Sequence, residues 1–257
     1  MGRFKIAFFD VDGTLLSFRT HAMPASTRRA LAALREQGVR LVVASGRSPE
    51  QIPSELQTGF DACIANNGQR CLCGGELYRN VTIDQGDVRV IVDQVEHGLY
   101  DAGVVTDGYT FVSRLSPRVL EASRTMNITY VQDDIRVALE RPVYQFLLFA
   151  DPADDHLLLD ATSSVVATRW TDLFADVAPA EGGKDYGVRA TLERFGLTKD
   201  EAIAFGDGEN DLSMLSAVGT GVAMGNASDA VKAQAAYVTD DVDEDGIWNT
   251  CRHFGLV

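Results

Sequence analysis

The chain has 257 residues, 46% of them apolar, enough to bury a core for one large domain or two. A formal net charge of -14 argues against a nucleic-acid or anionic-membrane partner, because both are recognised through basic patches. No apolar run reaches the roughly 18 residues of a membrane helix, and the first residues lack a signal peptide's apolar stretch, so a cytoplasmic location is expected.

Residues 4–9 form a nearly continuous apolar run, as expected of a strand buried on both faces of a parallel sheet. It ends in Asp10-Val11-Asp12-Gly13-Thr14-Leu15. Ligands of open α/β sheets bind just beyond the carboxyl ends of strands, which places chemistry at these carboxylates. A calcium loop starting at Asp10 would need a glycine and a glutamate where the chain has Leu15 and His21.

A helix is predicted from Ser26, its candidate N-cap, to the stop at Gly38. Residues 39–44 read as a second strand, ending in Ser45-Gly46-Arg47. This β-α-β unit makes the two strands parallel, so Ser45 is expected near Asp10. A third strand over 61–65 ends at Asn66-Asn67-Gly68, whose asparagines read as turn formers. Residues 69–80 suggest a hairpin around Gly74-Gly75.

From residue 82 the pattern changes. Val88, Ile91, Val92, Val95 and Leu99 share a helical face ended by Gly103, and 104–113 holds a second hairpin at Asp107-Gly108. Residues 143–150, 165–169 and 173–178 read as strands and 156–161 as a short helix, an α+β pattern. Strand and helix alternate again afterwards: helices over 185–195, 212–216 and 228–236 and from Glu244, strands over 202–205 and 220–223. The expected architecture is α/β, a Rossmann-like parallel-sheet core of 1–81 and 183–257 with an inserted α+β cap domain at 82–182.

Four polar clusters fall at one edge of the predicted core sheet: Asp10/Asp12, Ser45-Gly46, Lys184, and Asp207/Asn210/Asp211. Carboxylates so gathered repel one another unless a cation holds them. Oxygen-only donors favour a hard ion, and Mg²⁺ suits a site of one or two carboxylates, water and a substrate phosphate. Lys184, Ser45 and the amides around Gly46 complement an anion. The set describes phosphoryl transfer, with Asp10 attacking phosphorus and Asp12 as acid and then base. Arg47 can pair with a carboxylate or reach the substrate. The cysteines Cys63, Cys71, Cys73 and Cys251 match neither a common zinc spacing nor a disulfide framework and read as reduced thiols.

Asp10-Val11-Asp12-Gly13-Thr14-Leu15, Ala44-Ser45-Gly46-Arg47, Lys184 and Gly206-Asp207-Gly208-Glu209-Asn210-Asp211-Leu212-Ser213-Met214-Leu215 resemble, in order, the four motifs of the haloacid dehalogenase superfamily. The likeness is greatest to its Cof-type phosphatases with a type IIB cap. It extends through Val222-Ala223-Met224-Gly225-Asn226-Ala227 and Glu244-Asp245-Gly246, and in the insert only through position and size. The resemblance implies a Mg²⁺-dependent phosphatase of small phosphorylated metabolites, sugar phosphates foremost, with the insert as a lid. It implies Asp10 as nucleophile and metal ligand, Asp12 as acid/base with its carbonyl on the metal, and Asp207 as the other metal carboxylate. Asp211 would orient these groups from behind, while Val11, Ser45, Gly46, Lys184 and Asn210 contact the phosphoryl group. Gly183-Lys184-Asp185 departs from the Lys-Gly of many relatives. A phosphosugar mutase of the same fold and a non-catalytic phosphometabolite sensor are the alternatives, and monomer and homodimer are both compatible with the sequence.

Overall fold

In the computed structural model, which describes residues 3–169 and 171–257, the first strand β1 (Ile6–Phe9) is buried along its whole length. Ile6 and Phe8 face one apolar core and Ala7 and Phe9 the other, the alternation of a strand covered on both faces. The chain falls into two compact units, Met1–Asn80 with Gly183–Val257, and Val81–Gly182.

The first unit opens β1, α1 (Ala25–Glu36), β2 (Arg40–Ala44), α2 (Ser54–Thr58), β3 (Ala62–Ala65), β4 (Arg70–Cys73) and β5 (Glu76–Asn80). The second unit contains α3 (Gln85–Glu96), β6 (Asp101–Thr106), β7 (Thr110–Val112), α4 (Pro117–Met126), β8 (Val143–Phe149), α5 (Asp155–Leu159), β9 (Val165–Thr168) and β10 (Ala175–Pro179). The first unit then resumes with α6 (Lys184–Phe195), β11 (Ala202–Gly206), α7 (Leu212–Ala217), β12 (Thr220–Ala223), α8 (Asp229–Gln234), β13 (Tyr237–Val238) and α9 (Gly246–His253).

The first unit's sheet has the order β13-β12-β11-β1-β2-β3-β4-β5. It is parallel from β13 to β3, and β4 and β5 add antiparallel to that edge. Strands progress outward from β1 through β2 on one side and from β11 on the other, so the order switches at the β1/β11 boundary. That switch opens the crevice where such sheets hold ligands. Helices α1 and α9 bury Leu31, Leu34, Ile247 and Cys251 on one face; α6, α7 and α8 bury Val188, Leu192, Met214, Leu215 and Val231 on the other. Phe9 stacks on Phe205 at 4.9 Å between ring centroids, joining β1 to β11.

Ser26 does not cap α1: Pro24 stands at the N-cap and Ser26 is buried in the first turn. Proline is tolerated there because the first helical amides need no partner inside the helix. Gly74 and Gly75, both with positive φ, form the predicted turn between β4 and β5.

In the second unit all strand pairs are antiparallel, in the order β7-β6-β8-β10-β9. Val88, Ile91, Val92 and Val95 of α3 pack on one sheet face with Val104, Phe146 and Val177; Val119 and Ala122 of α4 pack on the other with Leu147 and Phe149. Helix α3 stops earlier than the apolar spacing predicts, because Gly98 takes the left-handed position that ends it; Leu99 is exposed and Gly103 lies inside β6. The unpredicted α4 begins at Pro117 and buries only Val119 and Ala122, a stripe too narrow to mark a helix by periodicity. Among the described residues no helix is long and apolar enough to cross a membrane.

Asp87, near the start of α3, accepts from the amides of Ser163 and Ser164 and from the Ser164 hydroxyl, tying the helix to the loop before β9. Burial favours its neutral form, but these donors outweigh burial and hold its carboxyl below the usual 3.8. Asp87→Asn is expected to destabilise the chain by about 1–3 kcal/mol. A depressed carboxyl contributes its stability above the unfolded-state value and loses it as pH falls through the folded one. The wild-type minus variant difference in urea unfolding should therefore be flat at neutral pH and shrink below pH 3.8.

Candidate active site

The carboxyl ends of β1, β2 and β11 bring the predicted polar clusters together with the first turn of α6. The Asp10 amide donates to the Phe205 carbonyl at 3.0 Å, so the loop after β1 starts in register with β11. Gly13 follows with φ +85°, and a Cβ there would stand 2.2 Å from Asp207 Oδ2. Only glycine supplies both that turn and that approach.

Lys184 lies fully buried at the start of α6. Its Nζ donates to Asp10 Oδ1 at 2.5 Å and to Asp211 Oδ1 at 2.6 Å. Asp211 Oδ2 accepts from the amides of Asp207 and Gly208, so both oxygens of this buried carboxylate are engaged. Asp207 is held from two sides: Thr14 Oγ1 donates to its Oδ1 at 3.0 Å, and Asn226 Nδ2 to its Oδ2 at 3.1 Å. Asn226 Nδ2 also donates to the Gly13 carbonyl, and its Oδ1 accepts from the Val242 amide.

Asp12 faces a different cation. Arg47 Nε and Nη2 donate to its two carboxylate oxygens at 2.9 and 2.7 Å, a paired fork that fixes the carboxylate plane. Of the two roles open to Arg47, the structure shows the carboxylate pair. Both side chains are over a third exposed, so water screens the pair and its contribution is orientation more than stability. Ser45 is buried at the end of β2, and its Oγ accepts from the Arg47 amide. Asn210 is exposed and donates from Nδ2 to Asn67 Oδ1 at 3.2 Å. Asn66 and Asn67 both have φ +48°, as befits turn formers.

Asp10, Asp207 and Asp211 each offer an oxygen within 4.8 Å of the others. Burial pushes the Asp10 carboxyl up to about 7, with Asp211 and Asp207 adding to the push and Lys184 opposing it. Burial and Asp211 push Asp207 up to about 6. Burial also works against the Lys184 charge, yet Asp10 and Asp211 outweigh it and hold the ammonium above the ordinary lysine range. One ammonium thus serves three carboxylates. The remaining negative charge, carried by oxygen donors alone, fits a hard divalent cation.

Sequence reasoning assigned no role to Thr14 or Asn226, although both stand within stretches that resemble the motifs. Their signal is polar type beside an acidic loop, weak until the fold brings residues 14, 207 and 226 together.

The chain matches the family model of haloacid dehalogenase-like hydrolases over residues 7–250. It is 33% identical over 256 residues to YkrA of Bacillus subtilis (strain 168), a candidate phosphatase by its name, covering 98% of each chain. Its structure is similar to BT1666 from Bacteroides thetaiotaomicron, studied among phosphatases of the same superfamily, with a TM-score of 0.91, 33% identity and coverage of 99% and 96%. The structure described as the subclass IIB sugar phosphatase BT4131 is similar at TM-score 0.82 and 34% identity, covering 98% of this chain and all of that one.

Lys184→Met is expected to cost about 3–5 kcal/mol at pH 8, because it leaves Asp10 and Asp211 buried without a counter-charge. The loss should shrink at pH 5, where protonation relieves the raised Asp10 carboxyl. Asp10 and Asp207 also give the cation-free chain a pH slope. Carboxyls raised from 3.8 to about 7 and about 6 bind more protons folded than unfolded, so stability falls as pH rises between those values. Added Mg²⁺ is therefore expected to raise Tm more at pH 8 than at pH 5 in thermal melts against EDTA. Equal shifts at both values would contradict the raised carboxyls.

Proposed function

This chain belongs to the haloacid dehalogenase-like hydrolases and is a phosphatase of small phosphorylated metabolites, and we propose that it hydrolyses sugar phosphates through an aspartyl-phosphate on Asp10 with Mg²⁺ as cofactor. The observation that carries the proposal is the division of carboxylates between cations: Asp10 faces Lys184 and Asp207 in the buried cluster, while Asp12 is held apart by Arg47. Two aspartates two residues apart thus have separate environments, which separate tasks require.

Asp10 attacks phosphorus in line with the leaving oxygen, and Asp12 delivers a proton to that oxygen as the ester bond breaks. Water then attacks the aspartyl-phosphate, Asp12 takes its proton, and inorganic phosphate and free Asp10 result. Ser45, Gly46, the Val11 amide, Lys184 and Asn210 donate to the phosphoryl oxygens, where charge is spread as the transition state forms. The metal would be held by the carboxylates of Asp10 and Asp207 and the Asp12 carbonyl, and would neutralise phosphoryl charge. Asp211 keeps Lys184 and the Asp207 loop in place. Arg47 keeps the Asp12 carboxylate in one plane between the two proton transfers. Specificity is assigned to the insert, and the free thiols of all four cysteines suit a cytoplasmic protein.

Phosphate release from a panel of sugar phosphates and other phosphorylated metabolites tests the proposal. Wild type is expected to turn over sugar phosphates in Mg²⁺ and to stop in EDTA. Asp10→Asn should lose about 10⁴-fold or more, as removal of a nucleophile does, and Asp12→Asn about 10²–10⁴-fold. Isomerised sugar phosphate without free phosphate would indicate a mutase instead, and a long-lived phosphoprotein without turnover a sensor.

A further inference from the structure

The turn Asn66-Asn67-Gly68 after β3 has three consecutive residues with positive φ, +48°, +48° and +91°. Two of them are not glycine, and such backbone persists only where its surroundings over-determine it. Several of the surrounding contacts lead to pieces of the active site. The Asn66 amide donates to the Arg47 carbonyl at 2.9 Å and the Asn67 amide to the Ser45 carbonyl at 3.0 Å. Gly68 lies so close to the start of α6 that a Cβ on it would stand 2.0 Å from the Gly183 carbonyl oxygen, one residue before Lys184. Arg79 Nε, from β5, donates to the Gly68 carbonyl and fixes the turn from behind.

The Asn67 side chain closes the set. Its Oδ1 accepts from Asn210 Nδ2 at 3.2 Å, and its carboxamide lies against Gly46, where a Cβ would meet Oδ1 at 3.2 Å and Nδ2 at 3.3 Å. A carboxamide nitrogen carries two coplanar hydrogens, so anchoring one on Asn67 fixes where the other points. We propose that Asn67 is a positioning residue of the phosphoryl site: it orients the Asn210 amide and sets the spacing between the Ser45-Gly46 loop and the Asp207 loop. This rests on the phosphatase reading above and adds a residue to it.

The test is Asn67→Gly, which can adopt the same left-handed backbone and removes the side chain with its carboxamide. Asn210→Ala and the double variant accompany it. For Asn67→Gly we expect kcat/KM to fall about tenfold and the inhibition constant of inorganic phosphate to rise about as much, as for loss of an oriented donor to a charged group. Tm should stay within a few degrees. The double variant should be no worse than Asn210→Ala, because residues that act as one unit are not additive. A merely structural role would lower Tm and add to the Asn210 loss, and either that additivity or wild-type kinetics in Asn67→Gly would overturn the proposal. If wild type releases phosphate from no ester, the phosphatase reading fails independently. The Asn210 side-chain amide resonances, identified by their loss in Asn210→Ala, then decide: unchanged shifts in Asn67→Gly would refute the positioning.

Discussion

A lysine ammonium with no access to water is the constraint on which the rest of this structure depends. Burying such a charge costs far more than one hydrogen bond returns, so Lys184 has to be met at close range by opposite charge. Asp10 from the end of β1 and Asp211 from the loop after β11 meet it at 2.5 and 2.6 Å. Those two residues then cannot move independently of the first turn of α6. The Asp207 loop is drawn in as well, because Asp211 accepts from its amides. The ion cluster therefore fixes the relative placement of three chain segments that meet only at the sheet edge.

The same cluster is a poor source of net stability. Three carboxylates share one ammonium, and two of them are pushed toward protonation at neutral pH. Such an arrangement has a function outside folding, since apolar side chains would fill the space more favourably. The costs are met by the apolar strands beneath, whose residues from Ile6 to Phe9 and from Ala202 to Phe205 are buried on both faces.

Much of the core was legible in the sequence, since β1, β11 and residues 41–44 of β2 are apolar runs that end in polar loops. Strand ends of a parallel sheet lie side by side, so the spacing of Asp10, Ser45 and Asp207 along the chain translated directly into proximity. The insert was less legible. The apolar spacing of α3 runs on to Leu99, beyond the stop at Gly98, and α4 buries too few residues to leave a period in the sequence. Within the site, the charged residues announced themselves, whereas Thr14, Asn226 and the Asn67–Asn210 pair act through neutral contacts between distant segments. Neutral polar residues in loops are too common to single out until a fold shows what they touch.

The pairing of β1 with β11, Ile6 opposite Ala202 and Phe9 opposite Phe205, has a consequence for how the protein is made. Synthesis runs from the N-terminus, so β1 leaves the ribosome almost two hundred residues before the strand that completes its other side. The insert, one continuous stretch with its own core, can collapse in that interval. Asp10 is thus translated long before Lys184 and Asp211, the residues that complete its ion cluster. Until they arrive the nascent chain carries an aspartate with ordinary solvent around it, and the ion cluster cannot form before residues 184 and 211 have followed.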